Sequence, residues 1–461
     1  MNSIIDRQGA LALGLAQIRA QFAVPASFPA DVLAEAQAVS TRATAGRADW
    51  TGREFATLDP LASTDLDQAF AIERAGSDLL LHYAIADVAF FVANGDAIDR
   101  EAWIRVATIY LPDGKASLYP PLLSEGSASL LPNVERPAVV FTIRVDPDGL
   151  SSLRGAVRAV IRSRAKLGYE NVAPAQLPDG FSELSQRIER AEDARGAERV
   201  DAPEQELTED PEGRFALSFR LQTEAEKQNA SLSLAANLAI ADALLAHRTG
   251  LFRVMAEPDA RAVKRLRHSA KALGLDWPRD ATLAQFERTL EGSDPRHAAF
   301  RSAVRRAGPR ATYAPFREGV VPWHSAMAAT YAHATAPIRR LADRYVIEAA
   351  LQIANGQPVP AELGAIFEQL PSVMDRADAR AAQVERATLD LAESIMLQGR
   401  EGQRFEAVVT DVDERGARIQ IADPAVLARV DGKGAAPGDR IEVELTSVDV
   451  PQRRTVFERV A

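Results

Sequence analysis

Three carboxylates crowd one short stretch of this chain. The segment Thr57-Leu-Asp-Pro-Leu-Ala-Ser-Thr-Asp-Leu-Asp-Gln-Ala-Phe70 places Asp59, Asp65 and Asp67 within nine residues, at the point where a strand pattern begins. In an extended run over 65–70, Asp65 and Asp67 point to one face and Gln68 to the other. Two carboxylates on one face repel each other, and a divalent cation between them removes the repulsion. Bound ions of this kind serve phosphodiester hydrolysis, because they polarise a phosphoryl oxygen, acidify a water and stabilise the leaving oxygen. Magnesium takes only one or two carboxylates per ion and keeps several waters, so three aspartates suffice for one ion or two. The same residue types also make polar turns, with Asp59-Pro60 as a turn start and Asp65 and Asp67 in water. The segment lacks the glycine and distal glutamate of an EF-hand loop.

A second group lies far away in the chain, in Tyr331-Ala-His-Ala-Thr-Ala-Pro-Ile-Arg-Arg-Leu-Ala-Asp-Arg-Tyr345. Pro337 suits the first turn of a helix, which puts Arg339 and Arg340 where backbone N–H groups and the helix dipole favour an anion. A guanidinium there can grip phosphate oxygens in bidentate fashion and neutralise charge developing in a transition state. Asp343, four residues after Arg339, is spaced to orient it. An ordinary surface helix laced with ion pairs has the same spacing. Arginines outnumber acids by eight to two between Arg301 and Tyr345, although the whole chain carries a net charge of −10. Arg261, Lys264, Arg265 and Arg267 form another basic run that is equally a solvated helix face.

The bulk numbers narrow the chemistry. There is no cysteine, which rules out disulfides, zinc ribbons, iron–sulfur clusters and thiol nucleophiles, and the six histidines are scattered. A bound metal must therefore take oxygen ligands, which favours magnesium, with manganese as a substitute. A length of 461 residues exceeds a single core and implies two or three domains. The sequence shows no uninterrupted apolar run near the ~20 residues that cross a bilayer. It also shows no basic-then-apolar leader at its start, and it is expected to be a cytoplasmic monomer with no membrane or disulfide partner.

The elements that must position these groups follow from periodicity. Residues 1–24 have the apolar spacing of one amphipathic helix (Ile4, Ile5, Leu11, Leu13, Leu15, Ile18), and Asp31 is placed to cap a second. Residues 40–52 are polar enough for a linker. Strand patterns prevail from about 53 to 160, at Glu54–Leu58, Gln68–Glu73, Leu79–Val92 and Ala138–Val145. Long Ala/Leu-rich helices follow, as in Ser231–Leu245, and again over 361–400. Five short strands then occupy Phe405–Val412, Ala417–Ile421, Ala428–Val430, Arg440–Leu445 and Arg454–Phe457, which suits a small barrel of the OB type. The expected architecture is α+β and multidomain: a helical module over 1–45, a mixed strand/helix catalytic domain over 46–400 and a five-stranded barrel over 401–461.

Taken together these segments resemble the RNase II family of processive 3′→5′ exoribonucleases, with an RNB-type catalytic domain and a terminal S1-type barrel. Asp59, Asp65 and Asp67 match the first three aspartates of the family's acidic motif, and Gln68 stands at the fourth. Thr335-Ala-Pro-Ile-Arg-Arg-Leu-Ala-Asp343 matches the family's arginine motif, which makes Arg339 the catalytic arginine by resemblance. Ala84-Ile-Ala-Asp-Val88, Tyr110-Leu-Pro-Asp113 and Ser129-Leu-Leu-Pro132 fall between them in the family's order. The resemblance implies that Tyr110 stacks on the last nucleotides, that Glu385 lies near the RNA path and that Arg340 belongs to the RNA-binding set. It further implies magnesium at Asp59, Asp65, Asp67 and Gln68, single-stranded RNA as substrate, and nucleoside 5′-monophosphates as product. The chain departs from the pattern at Gln68, at Ala230-Ser231 where the family has paired glutamates, and at Val200 where a second stacking aromatic is expected. In place of the family's N-terminal cold-shock domains stands the helical module, of winged-helix or helix-turn-helix type. These departures also fit an RNA-binding relative without catalysis. A different metal phosphodiesterase, acting on DNA or small nucleotides, shares the acidic segment, although small nucleotides have no use for the terminal barrel.

Overall fold

The structure is a computed structural model that describes residues 3–4, 9–197, 204–209, 215–287, 289–290, 295–413 and 415–460. Val200 and Ile5 lie outside the described residues.

Five strands carry the catalytic half: β1 (Phe55–Asp59), β2 (Gln68–Ala75), β3 (Asp78–Ala86), β4 (Glu135–Val145) and β5 (Ser151–Gly168). The antiparallel run β1–β2–β3–β4–β5 closes on itself, because β5 pairs with β4 over its first half and in parallel with β1 over its second. A closed ring leaves no free edge; Phe55 is buried in it, and the cross-strand trio Phe70, Tyr83 and Phe141 is buried on the face where Phe70 packs on Phe181 and the Tyr83 hydroxyl meets Ser233. The expected strand over Leu79–Val92 ends at Ala86, where Asp87 introduces a short 3₁₀ turn. The supposed linker over 40–52 contributes the strand Ala48–Asp49 beside Ala159–Val160 of β5. Backbone pairing there overrode the polar composition.

Helices cover the barrel. The helix α3 (Glu224–Ala246) starts at a capping box in which Thr223 and Glu226 satisfy each other's backbone N–H groups. Its long apolar run has the length and composition of a membrane span, but Leu232, Ala235, Ala239, Ile240 and Leu244 are buried in the core. The helices α4 (Leu341–Ala354) and α5 (Ala361–Leu397) complete this layer.

The N-terminal residues do not build a core of their own. Ser3–Ile4 form a strand that pairs with Phe215 and Ala216, so the expected helix over 1–24 is confined to α1 (Ala10–Gln21). Leu11, Leu15 and Ile18 of α1 share a cluster with Val384, Ala387 and Leu391 of α5. The helix α2 (Ala30–Val39) follows Pro29, which leaves Asp31 in its first turn rather than at its cap, and its Val32 and Ala36 join the main core. The helices α1 and α2 are thus packed against the catalytic half.

The five terminal strands are β6 (Arg404–Asp413), β7 (Gly416–Ile421), β8 (Val426–Val430), β9 (Arg440–Asp449) and β10 (Arg454–Arg459), in the sheet order β8-β7-β6-β9-β10. They curl into a nearly closed barrel. Alternation puts Phe405, Ala407 and Val409 inside, with Ile419, Ile421, Val443 and Leu445 from the neighbouring strands.

Candidate active site

The three aspartates occupy the loop between β1 and β2 and its entrance. Asp59 ends β1, whereas Asp65 and Asp67 precede the first residue of β2, Gln68. The loop is held from outside by Lys166, whose ammonium donates to the carbonyls of Leu61 (2.6 Å) and Ser63 (2.5 Å).

Asp67 is the most enclosed of the three, at 5% exposure. Its Oδ1 accepts from the Ile338 N–H at 2.7 Å, and its Oδ2 lies 3.3 Å from Arg339 Nε. Asp59 has a buried Oδ2 with no hydrogen-bond partner. Burial pushes both carboxyls up to about 7, and the Arg339 charge opposes that rise in each case. Asp65 is differently engaged: it takes Lys115 Nζ at 2.8 Å on Oδ1 and the Tyr110 hydroxyl at 2.8 Å on Oδ2. Tyr110 and Lys115 are direct cross-strand partners in the hairpin formed by Ile109–Leu111 and Gly114–Ala116, so both reach Asp65 from one face. Tyr110 as a residue is 53% exposed.

Arg339 reaches the aspartates because of a local arrangement that the helical expectation missed. Pro337–Arg339 form a turn, Arg340 is extended, and α4 begins only at Leu341. Ala107 bridges to Arg340, the Thr108 N–H donates to the Arg339 carbonyl, and the Leu341 N–H donates to the Val106 carbonyl. This pairing draws the segment out of the helix. Asp343 does not orient Arg339. It accepts from the Ala336 N–H at 2.8 Å and holds Arg340 through both oxygens at 3.1 and 2.8 Å. Arg340 is therefore spent on shaping the turn, and Arg339, 43% exposed, is left to face Asp67 and the opening.

Gln68 turns away from the aspartates. Its Oε1 accepts from the Tyr83 hydroxyl at 2.7 Å and from the Ser233 hydroxyl at 3.2 Å, so the oxygen a metal would use is committed to the contact between β3 and α3. Ser231 bonds Ser185 inside the packing of α3, and Ala230 is exposed. Glu385 sits on the exposed side of α5, next to Val384, which packs with Ile109 of the Tyr110 hairpin. The structure does not bring Glu385 to the three aspartates.

Several supporting residues escaped the sequence reading. Asn229 of α3 donates to the Leu58 carbonyl (3.1 Å) and the Tyr169 hydroxyl (2.7 Å), while the Tyr169 N–H donates to the Asp59 carbonyl, which fixes the end of β1. Lys115 was legible in principle, since Pro112-Asp113 is a two-residue turn and the register places Lys115 opposite Tyr110. Lys166 and Asn229 carry no signal in their own segments.

The RNB domain model matches residues 47–353, two-thirds of the chain, and the model of the RNase II-type exonuclease C-terminal S1 domain matches residues 403–460. The chain belongs to the RNB-domain family. Among curated proteins, this RNB-domain chain is 26% identical to Ribonuclease R of Aquifex aeolicus, covering 95% of the chain and 69% of that protein. With Ribonuclease R of Thermotoga maritima the identity is 26%, covering 87% of the chain and 61% of that protein. With Ribonuclease R of Escherichia coli it is 25%, covering 92% and 58%. The chain thus spans between 58% and 69% of the length of these relatives. Among solved structures, Mycoplasma genitalium RNase R in complex with ribose methylated single-stranded RNA superposes with a TM-score of 0.87 at 20% identity, covering 98% of the chain and 78% of that one. Yeast Ssd1, described as a pseudonuclease, superposes with a TM-score of 0.65 at 19% identity, covering 87% and 53%. The shared fold is therefore found with and without nuclease action, and the case for chemistry rests on the side chains.

Those side chains suit a hard cation. Asp59 offers an orphaned buried oxygen, and both Asp59 and Asp67 are carboxylates whose ionisation is resisted by burial until positive charge arrives. Among the described residues no three Asp, Glu or His side chains converge into a closed cage. Magnesium does not need one, because it keeps several waters alongside one or two carboxylates.

Proposed function

We propose that this chain is a magnesium-dependent exoribonuclease that shortens single-stranded RNA from its 3′ end and releases nucleoside 5′-monophosphates, with manganese able to substitute. The observation that carries the reading is the pairing of two buried, charge-starved carboxylates, Asp59 and Asp67, with an exposed guanidinium, Arg339, beside the exposed Tyr110. Asp59 and Asp67 hold the ion. A bound magnesium supplies Lewis acidity to the phosphoryl oxygen and acidifies its water.

The chain's own groups supply the rest. Arg339 sets its positive charge next to Asp67, where the charge developing on the scissile phosphate is met without rearrangement. The Ile338 N–H keeps Asp67 in one orientation. Tyr110 offers its face to the terminal base, and stacking tolerates any sequence because every base has a π face. Lys115 and the Tyr110 hydroxyl hold Asp65 at the rim. The names of the relatives and the RNA present in the Mycoplasma genitalium complex support RNA as the ligand class.

The test is incubation of 5′-labelled single-stranded RNA with the purified protein and magnesium, beside Asp67→Asn and a matched DNA. A ladder shortening from the 3′ end, absent with the variant and with DNA, is the expected result. A second reading, an RNA-binding protein without catalysis, is favoured by Gln68, whose amide is committed to Tyr83 and Ser233, and by the fold shared with Ssd1. RNA that is bound but stays intact with magnesium and with manganese decides for that reading.

A further inference from the structure

The Tyr110 hairpin has two faces, and its rear one is occupied. Tyr110 and Lys115 look toward Asp65, while Ile109, Leu111 and Ala116 look the other way, as strand alternation requires. That rear face packs on α1 and α5: Ile109 is buried with Leu11, Leu15 and Ile18 of α1 and with Val384 and Ala387 of α5. At the hairpin tip Arg19 of α1 grips Asp113 with both guanidinium nitrogens, each 2.7 Å from a carboxylate oxygen. A bidentate fork fixes direction as well as distance. The same C-terminal end of α1 is also tied to the barrel, since Arg453, in the turn between β9 and β10, donates to Gln21, and Val450 of the same turn packs against the α1 cluster. One short helix therefore touches the terminal barrel at its end and the active-site hairpin along its side.

Among the described residues Arg19 with Asp113 is the ion pair at the hairpin's turn, while Lys115 in its second strand pairs with Asp65 and Glu125 on the front face. A two-stranded ribbon of three residues per strand has little stability alone, so its orientation is set by what it leans on. We infer that α1 is a strut between the terminal barrel and the Tyr110 hairpin, and that Arg19 and Asp113 are positioning residues that set the angle at which Tyr110 meets the terminal base of the RNA. This rests on the exoribonuclease reading for the identity of the ligand.

The experiment uses the full chain carrying Asp67→Asn, which binds RNA without cutting it, and an RNA with 2-aminopurine at its 3′ end, whose fluorescence falls on stacking. Parent protein quenches the probe, and Tyr110→Ala abolishes the quench. Arg19→Ala and Asp113→Ala should each relieve at least half of it, and the exchanged pair Arg19→Asp with Asp113→Arg should restore it. In the active background the same alanine variants should raise KM about threefold to fivefold with kcat nearly unchanged, the size expected for a partly exposed ion pair. Quenching equal to the parent in both alanine variants overturns the strut. So does a loss that the exchanged pair leaves unrestored, or a parent that fails to quench. Failure of the active protein to shorten RNA, with the quench pattern intact, would refute catalysis and leave the positioning role standing.

Discussion

The joint between the terminal barrel and the catalytic half contains a buried acid, Glu393 of α5, and its titration can be followed as stability. Glu393 is 3% exposed; its Oε1 accepts from Gln205 Nε2 at 2.7 Å and from the Leu427 N–H of β8 at 3.0 Å. Gln205 Nε2 also donates to the Ala425 carbonyl at 2.7 Å, so one amide and one carboxyl link α5, the strand Glu204–Glu209 and the barrel. Burial pushes the carboxyl up to about 7, with Gln205, the Leu427 N–H and Arg386 opposing and Asp390 adding to the rise. An unfolded chain ionises this group near 4.5. Between those two pH values the folded protein keeps the proton and the unfolded chain does not. Stability is therefore full below 4.5 and falls as pH rises through 7. At about 1.4 kcal/mol per pH unit the gap amounts to about 3 kcal/mol. Glu393→Gln keeps an oxygen acceptor for both donors and removes the proton. Urea unfolding of parent and variant from pH 4 to pH 8 should give curves that diverge with rising pH, the variant gaining about 3 kcal/mol relative to the parent. Parallel curves across that range would refute the reasoning, because other titrating groups are common to both proteins.

Three further outcomes follow from the site. Arg339→Ala should lower kcat about 10²- to 10³-fold with little change in KM, as for loss of one transition-state donor, and steady-state kinetics on a labelled RNA checks it. Because burial pushes Asp59 and Asp67 up to about 7 and the proposed cation site needs both as anions, apparent manganese affinity should climb about a hundredfold between pH 6 and pH 8; calorimetry showing a flat profile there would contradict the assignment. Asn229→Ala leaves the Leu58 carbonyl and the Tyr169 hydroxyl without their partner at the end of β1, so thermal unfolding should show a loss of about 1–3 kcal/mol, and an unchanged melting temperature would show that Asn229 is not needed there.

Much about this chain was written locally. The five terminal strands were legible because each alternates apolar and polar residues between Gly, Pro or Asp turns, and a half-buried strand leaves that period in the sequence whatever its partners. The α+β class followed in the same way, as did the absence of thiol chemistry. Asp59, Asp65, Asp67 and Arg339 stood out because their two segments together match motifs of the RNase II family, since a polar turn or a surface helix has the same spacing, and the fold does bring Asp59, Asp67 and Arg339 together.

What the tertiary structure alone decided is how each charged group is spent. Arg339 and Arg340 are neighbours with the same side chain, yet one faces Asp67 and the other Asp343, since bridging to Ala107 turns the backbone between them. Gln68 stands one residue from Asp67, but strand alternation and the hydroxyls of Tyr83 and Ser233 take its oxygen into the core. The strand at Ser3–Ile4, the strand at Ala48–Asp49 and the contact of Arg19 with Asp113 depend on partners dozens to hundreds of residues away. Periodicity reports which face of an element is apolar. It holds no record of which distant backbone or carboxylate will meet that element, because such contacts are fixed only when the whole chain closes around its core.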